Sequence, residues 1–367
     1  MKVIYDSQIF AQQEFGGISR YICALASQMS HVPGVDVKIV APLHINQYLK
    51  DADRTIVTGV HLRRLPKTAR IIKTLSAALC GPVSSMMRPD LVHETYYAEQ
   101  PLCRSNVPHV LTVYDMIEER FPDSFGAAYP IAQLKKFSVN RADHIFCISE
   151  NTRRDLQELH SLDDGDLTVT YLGYDALPQT GLQARALVGP APYILHVAGR
   201  RGYKNFDGLL RAYAASPWLK ANFRLVCFGA GVLSPDELGL MAGLGLPATQ
   251  VIHVGGGDDR LAALYKGAAA FVYPSKYEGF GIPPLEAMSL DCPVICSSTS
   301  SIPEVVGDAG EYFDPYDLDS IRVSIERVLQ SSARRAELVA LGRERCKRFS
   351  WERCAQETLA VYRRLAA

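Results

Sequence analysis

The sequence predicts two doubly wound α/β domains with parallel sheets, arranged one after the other. Three observations carry that reading. Short apolar runs alternate with helix-period patterns along nearly the whole chain. The length of 367 residues, 48% of them hydrophobic, is enough for two separate cores. The passage from Asp175 to Pro192 is rich in Pro, Gly, Ala and Gln with weak periodicity, and reads as the linker between them.

In the first half, strands are expected near 2–5, 37–41, 57–60, 91–93, 109–114, 144–148 and 168–172. Helices fall between several of them, as at 18–29 and 150–159. In the second half, strands near 193–198, 223–228, 250–254, 270–273 and 293–296 alternate with helices at 205–214, 259–267 and 285–290. Ser350-Trp351-Glu352 followed by spaced apolar positions is a capped final helix, placed to cross back to the first domain. The expected domains are therefore 1–175, completed by 350–367, and 190–349. Two such domains facing each other would leave a cleft, the usual place for a small-molecule site.

Composition removes several classes. The 39 basic and 39 acidic residues cancel, against a dedicated nucleic-acid binder. Nine cysteines include no C-x-x-C pair and no zinc spacing, and Cys292 and Cys296 read as small core residues. A reducing, cytoplasmic setting follows. The start, Met1 to Asp6, enters a strand without a secretory apolar region, and no apolar run approaches a membrane span.

The chemistry concentrates between Lys276 and Met288. Glu278 lies in a loop at the carboxyl end of an apolar strand, and Glu286 in the first turns of the helix opened by Pro283-Pro284. Loops at that edge of a parallel sheet bind ligands. The N–H groups of Phe280 and Gly281, backed by the helix dipole, suit phosphate or sugar oxygens. A plain turn with two solvated glutamates is the competing explanation.

Four further groups point to the same edge. Gly16-Gly17 precede a helix and allow close backbone approach of an anion. Arg200 and Lys204 sit on a glycine-containing loop after the strand at 193–198, one able to grip phosphate bidentately, the other a movable point charge. Asp115 ends a strand, where it is either a site group or a helix-capping aspartate. Val254-Gly255 end another strand, where a nucleotide base could lie against the backbone.

Together these residues resemble the retaining glycosyltransferases of family 4, the group 1 glycosyl transferases, with the GT-B fold. The likeness is most specific at Gly199-Arg200 with Lys204-Asn205, at Tyr273-Pro274-Ser275, at Glu278-Gly-Phe-Gly with Glu286-Ala-Met, and over 301–310. Weaker landmarks are Gly16-Gly17, 113–116 and 147–150. The detail is similar to bacterial mannosyltransferases of O-antigen and exopolysaccharide assembly. One departure is Tyr114, where many relatives carry a His that approaches the donor sugar.

The resemblance implies a hexose, mannose from GDP-mannose, moved from a nucleotide-diphosphate sugar to a glycan or lipid-linked saccharide, with no cofactor. Glu278 would meet sugar hydroxyls and the charge developing at the anomeric carbon, and Glu286 the ribose. Arg200 and Lys204 would neutralise the leaving diphosphate, with Gly17, Phe280 and Gly281 assisting. A UDP-sugar or deoxysugar donor, and a non-catalytic sugar-nucleotide binder, are the alternatives.

No metal is expected, because Asp51/Asp53 and Asp317/Asp319 are not aimed from a strand end at a phosphate. A nicotinamide-dependent oxidoreductase fails, because Gly229-Ala230-Gly231 is followed by Ser234-Pro235 in place of the third glycine. From Leu62 to Met87, Arg63, Arg64, Lys67, Arg70 and Lys73 interleave with Ile71, Ile72, Leu75 and Leu79. That pattern fits contact with an anionic membrane surface, and it equally fits a surface helix whose apolar face meets the core.

Overall fold

A computed structural model describes residues 1–63, 68–103, 106–125, 130–200 and 202–367. Arg64, Lys67 and their neighbours to Pro66 lie outside the described residues. The chain divides into two compact units, Met1–Gly173 with Phe349–Ala367, and Tyr174–Arg348.

The first unit holds a seven-stranded, all-parallel sheet in the order β3-β2-β1-β4-β5-β6-β7. Its strands are β1 (Lys2–Tyr5), β2 (Asp36–His44), β3 (Val57–His61), β4 (Leu91–Glu94), β5 (His109–Val113), β6 (His144–Cys147) and β7 (Leu167–Val169). The second unit holds six parallel strands in the order β10-β9-β8-β11-β12-β13. These are β8 (Tyr193–Val197), β9 (Arg224–Phe228), β10 (Val251–Val254), β11 (Ala270–Tyr273), β12 (Val294–Ser297) and β13 (Gly310–Phe313). Strands covered by helices on both faces bury every side chain, which is why they read as unbroken apolar runs. β4, β6, β8, β11 and β12 are buried along their whole length.

Each sheet reverses its order once, between β1 and β4 in the first and between β8 and β11 in the second. At such a point the loops leaving two adjacent strands diverge and open a crevice at the carboxyl edge.

The structure departs from the expected elements in several places, among them the unexpected helices Ile131–Arg141, Leu318–Gln330 and Ser332–Cys346. The passage 175–192 contains a short helix, Ala184–Val188, whose Ala184 and Val188 are buried. β13 was not expected, since Glu311 interrupts its apolar run. Helix Ala69–Met87 is continuous over 19 residues through Pro82. No helix among the described residues is long and apolar enough to cross a membrane.

The final helix, Trp351–Leu365, packs on helix Gly17–Ser30 within the first unit. Its Tyr362 is fully buried, with its hydroxyl on His93 Nδ1 and 3.1 Å from the Tyr5 hydroxyl. Burial holds the His93 pKa down to about 3, so the ring is a neutral hydrogen-bonding partner. Gly173 allows the chain to pass beneath this helix, because a Cβ there would lie 2.3 Å from Trp351 N. Replacing Tyr362 with Ala should destabilise the first unit by about 3–5 kcal/mol, as for other large buried aromatics. Urea unfolding measures it, and a loss below about 1 kcal/mol would mean the helix is not integral to that core.

Candidate functional site

The site of the second unit is built from the two loops that leave β8 and β11 at the reversal point. After β8 the chain runs through Gly199 to a single turn at Gly202–Lys204, and Asn205 then caps helix Phe206–Ala215. Asn205 has a left-handed backbone (φ +57°), a conformation Asn tolerates better than other residues with a Cβ. Its Nδ2 donates to the carbonyls of Pro274 (3.1 Å) and Pro315 (2.8 Å), beyond β11 and β13. Gly208 leaves room for this amide, since a Cβ there would lie 2.6 Å from Asn205 Oδ1. The Lys276 N–H donates to the Tyr203 carbonyl at 2.7 Å and closes a second stitch between the same loops.

Across these stitches Lys204 Nζ donates to both oxygens of Glu278, at 2.8 and 2.9 Å. The side chains are only 20% and 9% exposed, so the pair lies in a medium of low polarity where its attraction is strong. The Glu278 backbone is fixed separately. Its N–H donates to Ser300 Oγ (2.9 Å), and Ser301 Oγ donates to the carbonyls of Glu278 and Phe280 (2.8 Å each). Beside the carboxylate, the buried Tyr273 hydroxyl has its pKa pushed well up, first by burial and then by the charge of Glu278.

Gly281 adopts φ +118°, reserved for glycine, and turns the chain into helix Ile282–Ser289 with Pro283 and Pro284 in its first turn. Glu286 is buried on that helix, and the Tyr265 hydroxyl lies 3.4 Å from its Oε2 and 3.2 Å from the Pro283 carbonyl. Phe280 is buried under the turn.

Arg200 behaves differently from the expected open phosphate clamp. It is buried, and Nε donates to Glu237 Oε1 (2.8 Å). Nη1 donates to the Gly229 carbonyl (2.8 Å), and Nη2 to the carbonyls of Gly231 and Val232 (2.9 Å each). Glu237 also accepts the Ser234 N–H (2.6 Å) in a capping box of helix Pro235–Gly243. Burial pushes the Glu237 carboxyl up, but the Arg200 and Ser234 hydrogen bonds outweigh it and the pKa falls. The guanidinium thus shapes the loop after β9. That loop and the Gly199–Lys204 segment enclose a cavity of about 350 Å³, lined also by Tyr203, Ala230, Val232 and Ser234.

Val254 and Gly255 end β10 on the same sheet edge, two strands away from β8. His253 Nε2, on β10, lies 3.2 Å from the Gly229 carbonyl and joins that strand to the loop after β9.

The remaining expected residues belong to the first unit. Gly16 caps helix Gly17–Ser30, and a Cβ on it would strike the Gln13 amide at 2.2 Å, whereas Gly17 faces open space. Asp115 Oδ1 accepts the Ile117 N–H (3.1 Å) in a turn that precedes helix Ile117–Arg120, whose N-cap is Met116, and its carboxyl is pushed up to about 6 by burial, with Lys135 pulling it down. Lys135 is fully buried and bonds the Asp115 carbonyl (2.8 Å), Glu118 (3.0 Å) and Glu119 (2.9 Å). Tyr114 is buried with its hydroxyl donating to the Thr95 carbonyl at 3.1 Å. At the reversal point of this sheet, buried Asp6 accepts from Thr95 N (3.0 Å), Thr95 Oγ1 (2.7 Å) and Gln8 Nε2 (2.7 Å). Sequence reasoning missed Asp6, Lys135 and Glu237. Only the Ser234-Pro-Asp-Glu237 capping signature could have marked one of them.

Comparison with known proteins agrees across the chain. Residues 15–176 match the family model described as Glycosyltransferase Family 4, and residues 182–345 match Glycosyl transferases group 1. Among curated relatives, the O-antigen chain mannosyltransferase B of Escherichia coli is 34% identical over 237 residues, 62% of this chain and 62% of that protein. A serotype-specific mannosyltransferase, WbdA, of Escherichia coli is 32% identical over 246 residues, 63% of this chain but 30% of its own length. The chain therefore spans less than two thirds of either relative. Among solved structures, sucrose-phosphate synthase from Thermosynechococcus elongatus superposes with a TM-score of 0.77 at 20% identity, over 99% of this chain and 98% of that one. That likeness shows the fold, the GT-B class with two Rossmann-like units.

The two stitches give a test of the local architecture. Replacing Asn205 with Ala should cost about 2–3 kcal/mol, because two buried carbonyls lose their donor. Replacing it with Asp should cost more, since a carboxylate would then face both carbonyls. Chemical unfolding ranks the two variants, and an Asp variant as stable as the parent would reverse the assigned orientation of the Asn205 amide.

Proposed function

Because the chain belongs to the group 1 glycosyl transferases, with a family 4 first half, we propose that it moves mannose from GDP-mannose to a saccharide acceptor in surface-polysaccharide assembly, with retention at the anomeric carbon. The observation that carries this reading is the Lys204–Glu278 pair, set at the reversal point of the sheet beside the N-terminus of helix Ile282–Ser289. The mannosyltransferase names of the Escherichia coli relatives favour mannose as the sugar.

In this reading the diphosphate of the donor competes with Glu278 for Lys204. As the ammonium turns to the phosphates, Glu278 is released to accept sugar hydroxyls and to face the positive charge that develops at the anomeric carbon. Breaking the glycosyl–phosphate bond creates an oxocarbenium-like centre and a dianion together, and preorganised charge on both sides is the largest available lever. The N–H groups at Phe280 and Gly281 add a fixed dipole on the phosphate side. Glu286, one turn further along the helix, takes the ribose hydroxyls. The base lies toward Val254 and Gly255, at the end of the sheet formed by β9 and β10.

Arg200 acts first through the wall of the cavity that it ties together, and reaches phosphate only when Glu237 lets go. Gly16, Gly17 and Asp115 enter the reaction through the family resemblance. The acceptor is read as lipid-linked, met at the cytoplasmic face of a membrane. Retention without a paired nucleophile implies front-face attack, in which the departing phosphate oxygen takes the acceptor's proton.

Replacing Lys204 with Ala should raise the barrier to transfer by about 2–4 kcal/mol, the scale of one lost oxyanion donor. Glu278→Ala should lower the transfer rate with GDP affinity kept, while Glu286→Ala should weaken GDP binding in calorimetry, since GDP has a ribose and no sugar to transfer. Opposite outcomes in the two glutamate variants would exchange their roles.

A separate expectation concerns metal dependence. Transfer should survive exhaustive EDTA treatment, with Lys204 and the helix N-terminus as the partners of the diphosphate. Activity lost to EDTA and restored by Mg²⁺ or Mn²⁺ would overturn that assignment.

A further inference from the structure

Helix Asp258–Gly267 follows β10, and in its last turn it buries Tyr265 completely. The ring packs edge-on against Phe271 of β11, with centroids 5.5 Å apart and an interplanar angle of 76°. The helix is pinned beside it, because the Tyr193 hydroxyl of β8 donates to the Leu264 carbonyl at 2.6 Å. For that packing a phenylalanine ring would serve equally well. A phenol in the same place brings a hydroxyl out of water, which costs about 1–3 kcal/mol unless the fold gives it a partner.

The partner lies on the next helix. The Tyr265 hydroxyl is 3.2 Å from the Pro283 carbonyl and 3.4 Å from Glu286 Oε2. These two acceptors are three residues apart and therefore share one face of helix Ile282–Ser289. The carbonyl belongs to the backbone and fixes where the hydroxyl stands. The carboxylate hangs on a flexible stem and is then met by a donor whose place is already set. Burial, and after it the charge of Glu286, pushes the Tyr265 pKa well up, so the phenol keeps its proton at neutral pH. Glu286 itself is buried, and a carboxylate aimed before its ligand arrives loses less freedom on binding.

We propose that Tyr265 is a positioning residue for nucleotide recognition, its hydroxyl holding the Glu286 carboxylate in the direction that receives the ribose hydroxyls of the donor. This rests on the reading of Glu286 as the ribose-binding group, and adds the group that sets its aim. Tyr265 has no exposed surface and acts only through Glu286.

The test is calorimetry of the full chain with GDP and with 2′,3′-dideoxy-GDP, which lacks the ribose hydroxyls. The parent should prefer GDP. Tyr265→Phe keeps the ring on Phe271 and should weaken GDP binding on the order of fivefold, the scale of one net hydrogen bond. Its affinity for the dideoxy analogue should stay that of the parent. In the Glu286→Ala background the same change should cost nothing further, because the carboxylate through which it acts is gone. Unchanged GDP affinity in Tyr265→Phe would overturn the proposal. So would a loss shared equally by both nucleotides, or one that persists in the Glu286→Ala background, since either would make Tyr265 a packing residue. A different result marks failure of the ribose reading itself: Glu286→Ala would then keep the parent's preference for GDP over its dideoxy analogue, and both assignments would fall together.

Discussion

The contact between Lys204 and Glu278 is the constraint around which the second unit is arranged. An ammonium buried to four fifths of its side chain needs a counter-charge within the fold, because its desolvation otherwise costs several kcal/mol. Glu278 is that counter-charge, and it comes from 74 residues further along the chain. The two loops must therefore hold a fixed register. Asn205, the Tyr203–Lys276 bond and the paired serines Ser300 and Ser301 provide it through backbone groups rather than through the charges themselves. The charged tips can then change partners without the loops coming apart, which is what the proposed exchange with a diphosphate requires.

The first unit makes a different use of the same topology. Its reversal point also places a carboxylate at a strand end, but Asp6 faces hydroxyl, amide and N–H donors instead of a cation. Burial and the charge of Glu94 push its pKa up to about 6, and the hydrogen bonds from Thr95 and Gln8 only partly oppose them. One crevice thus holds an ion pair and the other a carboxyl met by uncharged donors.

The fold was legible because parallel strands buried on both faces write themselves as apolar runs, as at Ala270–Tyr273 and Val294–Ser297. β13 escaped because Glu311 sits within it, neutralised by Arg327 (2.6 Å) and Arg334 (2.9 Å) from later helices, and those partners cannot be read locally. At the site, the turn around Gly281 and the two prolines were legible, since φ +118° and a helix's first turn demand those residue types. The partner of each charge was not. Arg200 and Lys204 look equivalent on one short loop, and nothing near them shows that one turns to Glu237 and the other to Glu278. The helix at 69–87 misleads in another way. Its periodicity is that of a surface helix, but only the packed structure shows that serines and a cysteine face the sheet while leucines face out.

The two cations differ in a way that follows from their chemistry. A guanidinium is planar with five fixed donors, and in Arg200 three carbonyls of the 229–232 segment and one carboxylate meet that fork. Moving it would strip several buried acceptors at once, each costing about 1–3 kcal/mol. Lys204 has one compact charge on a flexible stem, and that charge meets the Glu278 carboxylate and the face of the Tyr203 ring. In the proposed reaction, turning it toward the donor diphosphate exchanges one charged partner for another, and Glu278 is left to the sugar hydroxyls. In that reaction lysine is the cation that follows the leaving group, and arginine the one that keeps the wall of its cavity in place.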